Sequence, residues 1–246
     1  MTTEFKEPSV SHVGDRLISI GGVQALTTID FPGRIAAVFF TKGCPWNCRY
    51  CHNPELRTNG DDGALSAEHI ERFLAERAGF LDGIVISGGE PTYQKKLPVF
   101  LGWLRSIGYE VAVHTNGFFP TMLKRILVKG LVDYIAMDVK APPRAYDRVT
   151  GMENSCIAVA RSIKIVVDSG VDYEFRTTYH PDILSEEELQ DTICALTSVR
   201  AKRYYLQRFR PQGVADKELA VSRDIITIPE DIVDRAEKSF EFFGVR

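Results

Sequence analysis

A chain of 246 residues that is 44% apolar has enough hydrophobic side chain for one core of α/β size. Its formal net charge of −3 provides no global basic field of the kind that draws nucleic acid. No apolar run approaches the ~20 residues of a membrane span, and five cysteines, an odd number, do not suit a disulfide framework.

The N-terminal Met1-Thr2-Thr3-Glu4-Phe5-Lys6 lacks a signal-peptide layout. The expected location is therefore the cytoplasm, with neither nucleic acid nor membrane as a partner. Residues 1–16 are polar and aperiodic and read as a loose N-terminal arm; 17–246 read as a single domain. Residues 17–27 alternate weakly, and Asp30-Phe31-Pro32-Gly33 signals a turn, so a hairpin should lead into a first barrel strand at 34–40. After the Gly/Asp-rich stretch 57–63, Ser66 should cap a helix with Ile70, Phe73 and Leu74 on one face. Strands are then expected at 84–87, 110–114, 134–139, 173–178 and 203–208. Helices are expected at 97–107, 120–129 and 155–169, from the capping box Ser185-Glu186-Glu187-Glu188, and from Pro229, the last with Ile232, Val233, Ala236 and Phe240 on one face. Cys156 and Cys194 stand among apolar helical neighbours and read as packed core thiols.

Strand followed by helix, about six times over, implies a parallel sheet with helices outside. Six units are too few for an eight-stranded closure, so a partial, open barrel is expected. In such folds chemistry gathers at the C-terminal ends of the strands.

One stretch lies just past the end of the first barrel strand: Gly43-Cys44-Pro45-Trp46-Asn47-Cys48-Arg49-Tyr50-Cys51-His52-Asn53-Pro54. Three thiols spaced C-x3-C-x2-C converge on one metal centre more easily than they pair with each other. A structural zinc site needs four ligands; His52 offers a fourth, but adjacent residues such as Cys51 and His52 rarely reach one small ion together. A cubane iron–sulfur cluster takes one thiolate per corner, and three thiolates leave one iron open to a small molecule. Both readings remain at this point, as does a zinc-stabilised binding module without catalysis.

The spacing C-x3-C-x2-C after a first strand resembles the signature of the radical S-adenosylmethionine (radical SAM) superfamily. Cys51-His52-Asn53 and Gly88-Gly89-Glu90-Pro91 narrow the resemblance. Thr28-Ile29-Asp30-Phe31-Pro32-Gly33, Cys51-His52-Asn53-Pro54-Glu55-Leu56, Met137-Asp138-Val139-Lys140 and Tyr173-Glu174-Phe175-Arg176-Thr177-Thr178 are similar to segments of the anaerobic ribonucleoside-triphosphate reductase activating proteins, which belong to the glycyl-radical-enzyme activases. The likeness runs over roughly residues 18–211. It implies an α/β fold, a partial open (βα)6 barrel, and one 4Fe–4S cluster held by Cys44, Cys48 and Cys51. It implies S-adenosylmethionine as the ligand of the open iron, reductive cleavage of that ligand to methionine and an adenosyl radical, and hydrogen abstraction from a glycine of a partner enzyme. That partner would be an anaerobic ribonucleotide reductase, with a flavodoxin- or ferredoxin-type protein as electron donor. Alternatives within the resemblance are a pyruvate formate-lyase-type activase and a radical SAM enzyme acting on a small molecule or a peptide.

The resemblance also distributes roles at the strand ends. Gly88, Gly89 and Glu90 would hold the amino end of S-adenosylmethionine, Glu90 as a counter-charge, and Lys140 would grip its carboxylate. Tyr50 and His52 would lie near the adenine. Arg176, Gln207, Arg208 and Arg210 would meet the adenosine moiety or the incoming protein loop. In related activases an Asp-Thr pair and a later Asp bind a monovalent cation. Thr115, Asn116 and Asp138 lie at the corresponding ends, but His114 stands where the first Asp belongs.

Overall fold

The computed structural model describes residues 17–60, 62–220 and 226–246; the expected arm at 1–16 lies outside them. A single eight-stranded sheet runs in sequence order, β1 to β8. It comprises β1 (Ile20–Thr27), β2 (Ala36–Thr41), β3 (Gly83–Gly88), β4 (Glu110–Thr115), β5 (Tyr134–Asp138), β6 (Asp172–Tyr179), β7 (Arg203–Arg208) and β8 (Phe242–Val245). β1 pairs antiparallel with β2, and every later neighbour is parallel. The six parallel strands expected from the βα repeats are β2–β7, with β1 as the hairpin strand before them. β8 is an addition: a four-residue parallel strand on the far side of β7 that the pattern did not suggest.

The helices are α1 (Ala67–Glu76), α2 (Leu97–Ser106), α3 (Pro120–Val128), α4 (Tyr146–Thr150), α5 (Ser155–Val167), α6 (Glu186–Ser198), α7 (Lys217–Ala220) and α8 (Glu230–Ser239). Ser66 caps α1 by accepting from the His69 N–H, and Ser185 and Glu188 form the capping box of α6. The short α4 and α7 were not expected. Cys194 is exposed and so is not the packed core thiol that its helical neighbours suggested, whereas Cys156 is half-buried and packs against the main core. Among the described residues no helix is long and apolar enough to cross a membrane.

Alternation along the strands places two kinds of side chain on two faces. Phe39, Ile86, Val113, Ile135, Phe175 and Leu206 face the helices and join Phe100, Leu101 and Leu104 in the main core, all fully buried. Each such side chain contributes about 1.5–3 kcal/mol by leaving water. The opposite face lines the barrel interior. Its lower layer is apolar, with Phe31, Ala36, Val38, Val85, Ala112 and Tyr134 in one small cluster. Further toward the strand ends the same parity carries His114, Asp138, Arg176 and Gln207, with Asp138 paired to Arg176 and Thr178 to Gln207 in the sheet register. A slip of one residue would exchange this polar layer with the helix-facing core, so the pattern fixes the register strongly.

Candidate active site

The strand ends and the cysteine loop enclose a cavity of about 490 Å³, a size suited to a nucleotide-sized ligand. Cys44, Cys48 and Cys51 all line it, and all three are free thiols. Burial pushes the Cys44 thiol up to about 12 and the Cys48 thiol up to about 11. Backbone bonds fix the loop from behind. The Gly43 N–H donates to the Leu56 carbonyl (2.7 Å), and the Gly43 carbonyl accepts from the Glu90 N–H (2.8 Å). The Asn47 N–H donates to the Thr150 carbonyl (2.9 Å), and the Ala215 N–H to the Cys51 carbonyl (2.9 Å). Trp46 is buried edge-on against Phe118 and Tyr146. Thus α4, which contributes Tyr146 and Thr150, and the segment before α7 brace the thiols. Arg49 adds an ion pair to Asp216 (2.6 Å).

The glycines at the end of β3 have a second reason to be glycine. Gly88 has φ +107°, and a Cβ there would lie 2.6 Å from the Thr41 carbonyl oxygen and 2.7 Å from the Phe40 carbonyl carbon. At Gly89 it would lie 2.5 Å from the Gly43 carbonyl oxygen. Both line the cavity, but the close approach they permit is first of all to the backbone of β2 and the cysteine loop.

Glu90 is fully buried. Its carboxylate accepts from the Thr92 N–H (2.9 Å) and hydroxyl, the Thr115 hydroxyl (2.6 Å) and the Asn116 N–H (2.7 Å). Burial raises its pKa, while these bonds work the other way. The counter-charge expected of Glu90 is, in this conformation, engaged by protein donors that tie the end of β3 to the end of β4. Asn116 also points its Nδ2 at Cys44 Sγ, 3.7 Å away.

Across the cavity runs a row of charges. Lys140 Nζ lies 3.2 Å from Asp138 Oδ2 and 5.2 Å above the Tyr50 ring. Arg176 Nε donates to Asp138 Oδ1 (2.9 Å), and Arg176 Nη1 lies 3.9 Å from Glu174 Oε1. Glu174, 3% exposed in its side chain, accepts from Nη1 and Nη2 of Arg246, both at 2.9 Å. Burial opposes ionisation of Asp138, but Arg176 and Lys140 outweigh it and hold the carboxyl well below its usual range. Burial likewise opposes the Lys140 cation, and Asp138 with Tyr50 more than restores it, so its pKa is raised. Beside this row, burial together with Arg176 pushes the pKa of His114 down to about 4. A neutral imidazole donates from Nε2 to the Asp30 carbonyl (2.9 Å) and presents Nδ1 to Arg176 Nη1 (3.4 Å).

Every residue expected from the sequence lines this one cavity: Tyr50, His52, Gly88, Gly89, Glu90, Thr115, Asn116, Asp138, Lys140, Arg176 and Gln207, with Arg208 and Arg210 at its exposed rim. His52 is turned partly away, its Nε2 2.8 Å from the Arg210 carbonyl. Trp46, Glu174 and Arg246 were not singled out. Alternation through 174, 176 and 178 was the available signal for Glu174. The monovalent-cation pattern does not fit these residues, because both Asp138 oxygens are paired and the Thr115 hydroxyl is engaged between Glu90 and the Gly117 N–H.

A radical SAM superfamily profile matches residues 38–193, more than half of the chain. The chain belongs to the radical SAM superfamily. Family membership implies a 4Fe–4S cluster and S-adenosylmethionine. The residues suit such a pair: three thiols on one cavity wall, and buried beside them the Tyr50 hydroxyl and Trp46 Nε1, neither with a hydrogen-bond partner.

Among relatives, a Methanocaldococcus jannaschii protein that carries the name of a glycyl-radical enzyme activating enzyme is 32% identical over 207 residues, 81% of this chain and 83% of that one. The pyruvate formate-lyase-activating enzyme of Streptococcus mutans is 29% identical over 186 residues, 69% of this chain and 68% of that one. A 7-carboxy-7-deazaguanine synthase of Neisseria meningitidis is 38% identical over 136 residues, covering 55% and 56%. In fold this radical SAM chain is similar to QueE from Escherichia coli, with TM-score 0.56, 15% identity, and 95% and 96% of the two chains covered. It is also similar to SuiB from Streptococcus suis bound to S-adenosylmethionine, with TM-score 0.62, 13% identity, and 85% and 49% covered.

Proposed function

We propose that this protein is a glycyl-radical-enzyme activase whose partner is an anaerobic ribonucleoside-triphosphate reductase. The observation that carries the reading is the meeting, in one cavity, of three free thiols with a lysine and a row of strand-end arginines. The relative named for glycyl-radical enzyme activation, aligned over 81% of this chain, supports the class.

In this reading Cys44, Cys48 and Cys51 hold the cluster as thiolates, and loading drives off the protons that burial keeps on Cys44 and Cys48. When bound, the cluster supplies the single electron that splits the C5′–S bond of S-adenosylmethionine. Lys140 binds the carboxylate of that ligand, held in place by Asp138 on one side and the Tyr50 ring on the other. Gly88 and Gly89 allow the end of β3 to reach the cysteine loop, and Glu90 fixes Thr115 and Asn116 beside it. Arg208 and Arg210, exposed at the rim, face an incoming loop of the partner. A flavodoxin- or ferredoxin-type donor supplies the electron, and the reducing cytoplasm suits the free thiols.

The test is anaerobic incubation of the reconstituted protein with S-adenosylmethionine, a chemical reductant and the candidate reductase. The expected result is a glycyl-radical EPR signal on the reductase and one methionine formed per radical. A second reading has its own support in the Streptococcus mutans relative: pyruvate formate-lyase as the partner. Swapping the partner in the same assay separates them. A signal on neither, with a small molecule consumed instead, would place the protein with the deazaguanine synthases or other small-molecule enzymes of the superfamily.

A further inference from the structure

The cation pattern of related activases fails here in a specific way, and the row of charges shows what replaces it. Asp138 offers one oxygen to Lys140 (3.2 Å) and the other to Arg176 Nε (2.9 Å). Arg176 in turn lies between Asp138, Glu174 (3.9 Å) and the His114 Nδ1 acceptor (3.4 Å), with its side chain only 12% exposed. Thr115, which the pattern would use as a ligand, donates to Glu90 instead (2.6 Å). Where a carboxylate would complete a metal site, His114 presents a neutral ring.

We propose that the Arg176 guanidinium is the resident cation of this site, taking the place of a bound monovalent ion and serving as a positioning residue for Lys140. What Lys140 then grips rests on the activase reading above; the replacement of the ion by Arg176 does not. Three cations (Lys140, Arg176, Arg246) face two carboxylates (Asp138, Glu174), which leaves the row one positive charge in excess. That charge sits at the Lys140 end, where Lys140 pairs with Asp138 and the Tyr50 ring lies beneath, and it is available to one anionic group of a ligand. A metal ion added beside Arg176 would crowd a third cation onto Asp138 in a poorly hydrated interior, where like charges repel most strongly. Arg246 completes the device from the edge strand side. Its bidentate hold on Glu174, and its stacking over Tyr205 at 3.5 Å, prevent Glu174 from drawing Arg176 away from Asp138.

The test begins with the protein free of cluster, so it does not depend on the chemistry. Thermal melting of the wild type is compared in potassium, sodium and choline chloride at equal ionic strength. The expected result is one Tm in all three salts. A saturable, potassium-specific rise in Tm would overturn the proposal, since a bound ion must stabilise the state that binds it. Arg176→Ala should then lose on the order of a hundredfold in S-adenosylmethionine cleavage, the scale of a displaced positioning group. Part of the loss should be recovered by added methylguanidinium, and Arg176→Lys should recover more. Recovery of Arg176→Ala by potassium would fit the same assignment, the ion filling the place the guanidinium vacates, whereas undiminished cleavage by Arg176→Ala in choline chloride would overturn it. Should Arg176→Ala fail to fold, Arg176→Lys and the wild-type salt series carry the test. If the reconstituted wild type cleaves nothing in any salt while its Tm stays salt-independent, the activase reading falls and the cation assignment stands.

Discussion

The two walls of the cavity are finished to different degrees. On the cysteine side, burial raises two of the three thiols, and the Tyr50 hydroxyl and Trp46 Nε1 are buried without a partner. On the strand-end side, each carboxylate has its donors: in the row of charges Asp138 from Lys140 and Arg176 and Glu174 from Arg246, and beside it Glu90 from Thr92, Thr115 and Asn116. Buried polar groups without partners are costly. On the proposed reading, the first wall is therefore one that a cofactor would complete, and the second is one whose carboxylates the protein already satisfies. Changes to the first should cost activity while sparing the apo fold; changes to the second should cost stability as well.

The largest expected effect is on the first wall. Cys48→Ala should abolish the cluster's visible absorbance and S-adenosylmethionine cleavage together. The apo protein should melt within about 1 kcal/mol of wild type, since a free buried thiol packs as a small hydrophobe. Retained cleavage would remove the three-thiol site from the reading. The matching change at the seam between the walls is Gly88→Ala. Its Cβ would press on the backbone of Thr41 and Phe40 from a left-handed conformation, so apo stability measured by urea unfolding should fall by about 3 kcal/mol or more.

On the second wall, acid should act through His114. Below pH 6.5 the unfolded chain's imidazole takes up a proton that the folded one refuses until about pH 4. The unfolded state then binds more protons, so stability falls as pH drops through that window and is unaffected by this group above it. The loss should be on the order of 3 kcal/mol, and His114→Gln should lessen the pH dependence of the urea midpoint between pH 6.5 and 4, leaving the contributions of His180, whose pKa burial also lowers, and of the buried Glu90, whose pKa burial raises. Asp138, whose pKa is depressed, stabilises above the ordinary carboxylate range and loses that contribution only at lower pH, so it does not contaminate the window. Glu90→Gln should cost about 2 kcal/mol, because an amide turns a donor toward the Thr115 hydroxyl or the Asn116 N–H where both now donate.

The contrast also explains what was legible in the sequence. Four of the six parallel strands, β2–β5, could be read because each is a largely apolar run that stops at Thr, Gly or Asp, and β6 and β7 because buried and polar residues alternate along them. The thiols could be read because three ligands fall within eight residues of one loop. The pairings of the second wall join residues far apart, such as Glu174 with Arg246 and Glu90 with Asn116, and no local pattern encodes them. β8 escaped because Phe242–Val245 follows α8 with no turn signal, and α4 because five residues are too few for a periodicity. The segment before α7 acts through backbone bonds to Arg49 and Cys51 and through the Arg49–Asp216 ion pair, which spans too much sequence for a local pattern to encode. Cys194 misled because apolar neighbours on an amphipathic helix do not say which face a residue occupies.

The smallest effect falls where the two walls touch, at Tyr50. Its ring lies beneath the Lys140 ammonium and belongs to the finished wall; its hydroxyl has no partner and belongs to the unfinished one. Tyr50→Phe keeps the ring and removes only the hydroxyl, so apo stability should hold or rise by up to about 1 kcal/mol as an unsatisfied group is deleted. Tyr50→Leu keeps burial but loses the cation–π contact, and should cost about 0.5–1 kcal/mol. If the hydroxyl completes its bonding only when the cavity is filled, Tyr50→Phe should weaken S-adenosylmethionine binding to the reconstituted protein several-fold while leaving the apo melting curve unharmed. A Tyr50→Phe protein that is destabilised without cofactor would mean that the hydroxyl already has its partner, and the division between the walls would have to be drawn elsewhere.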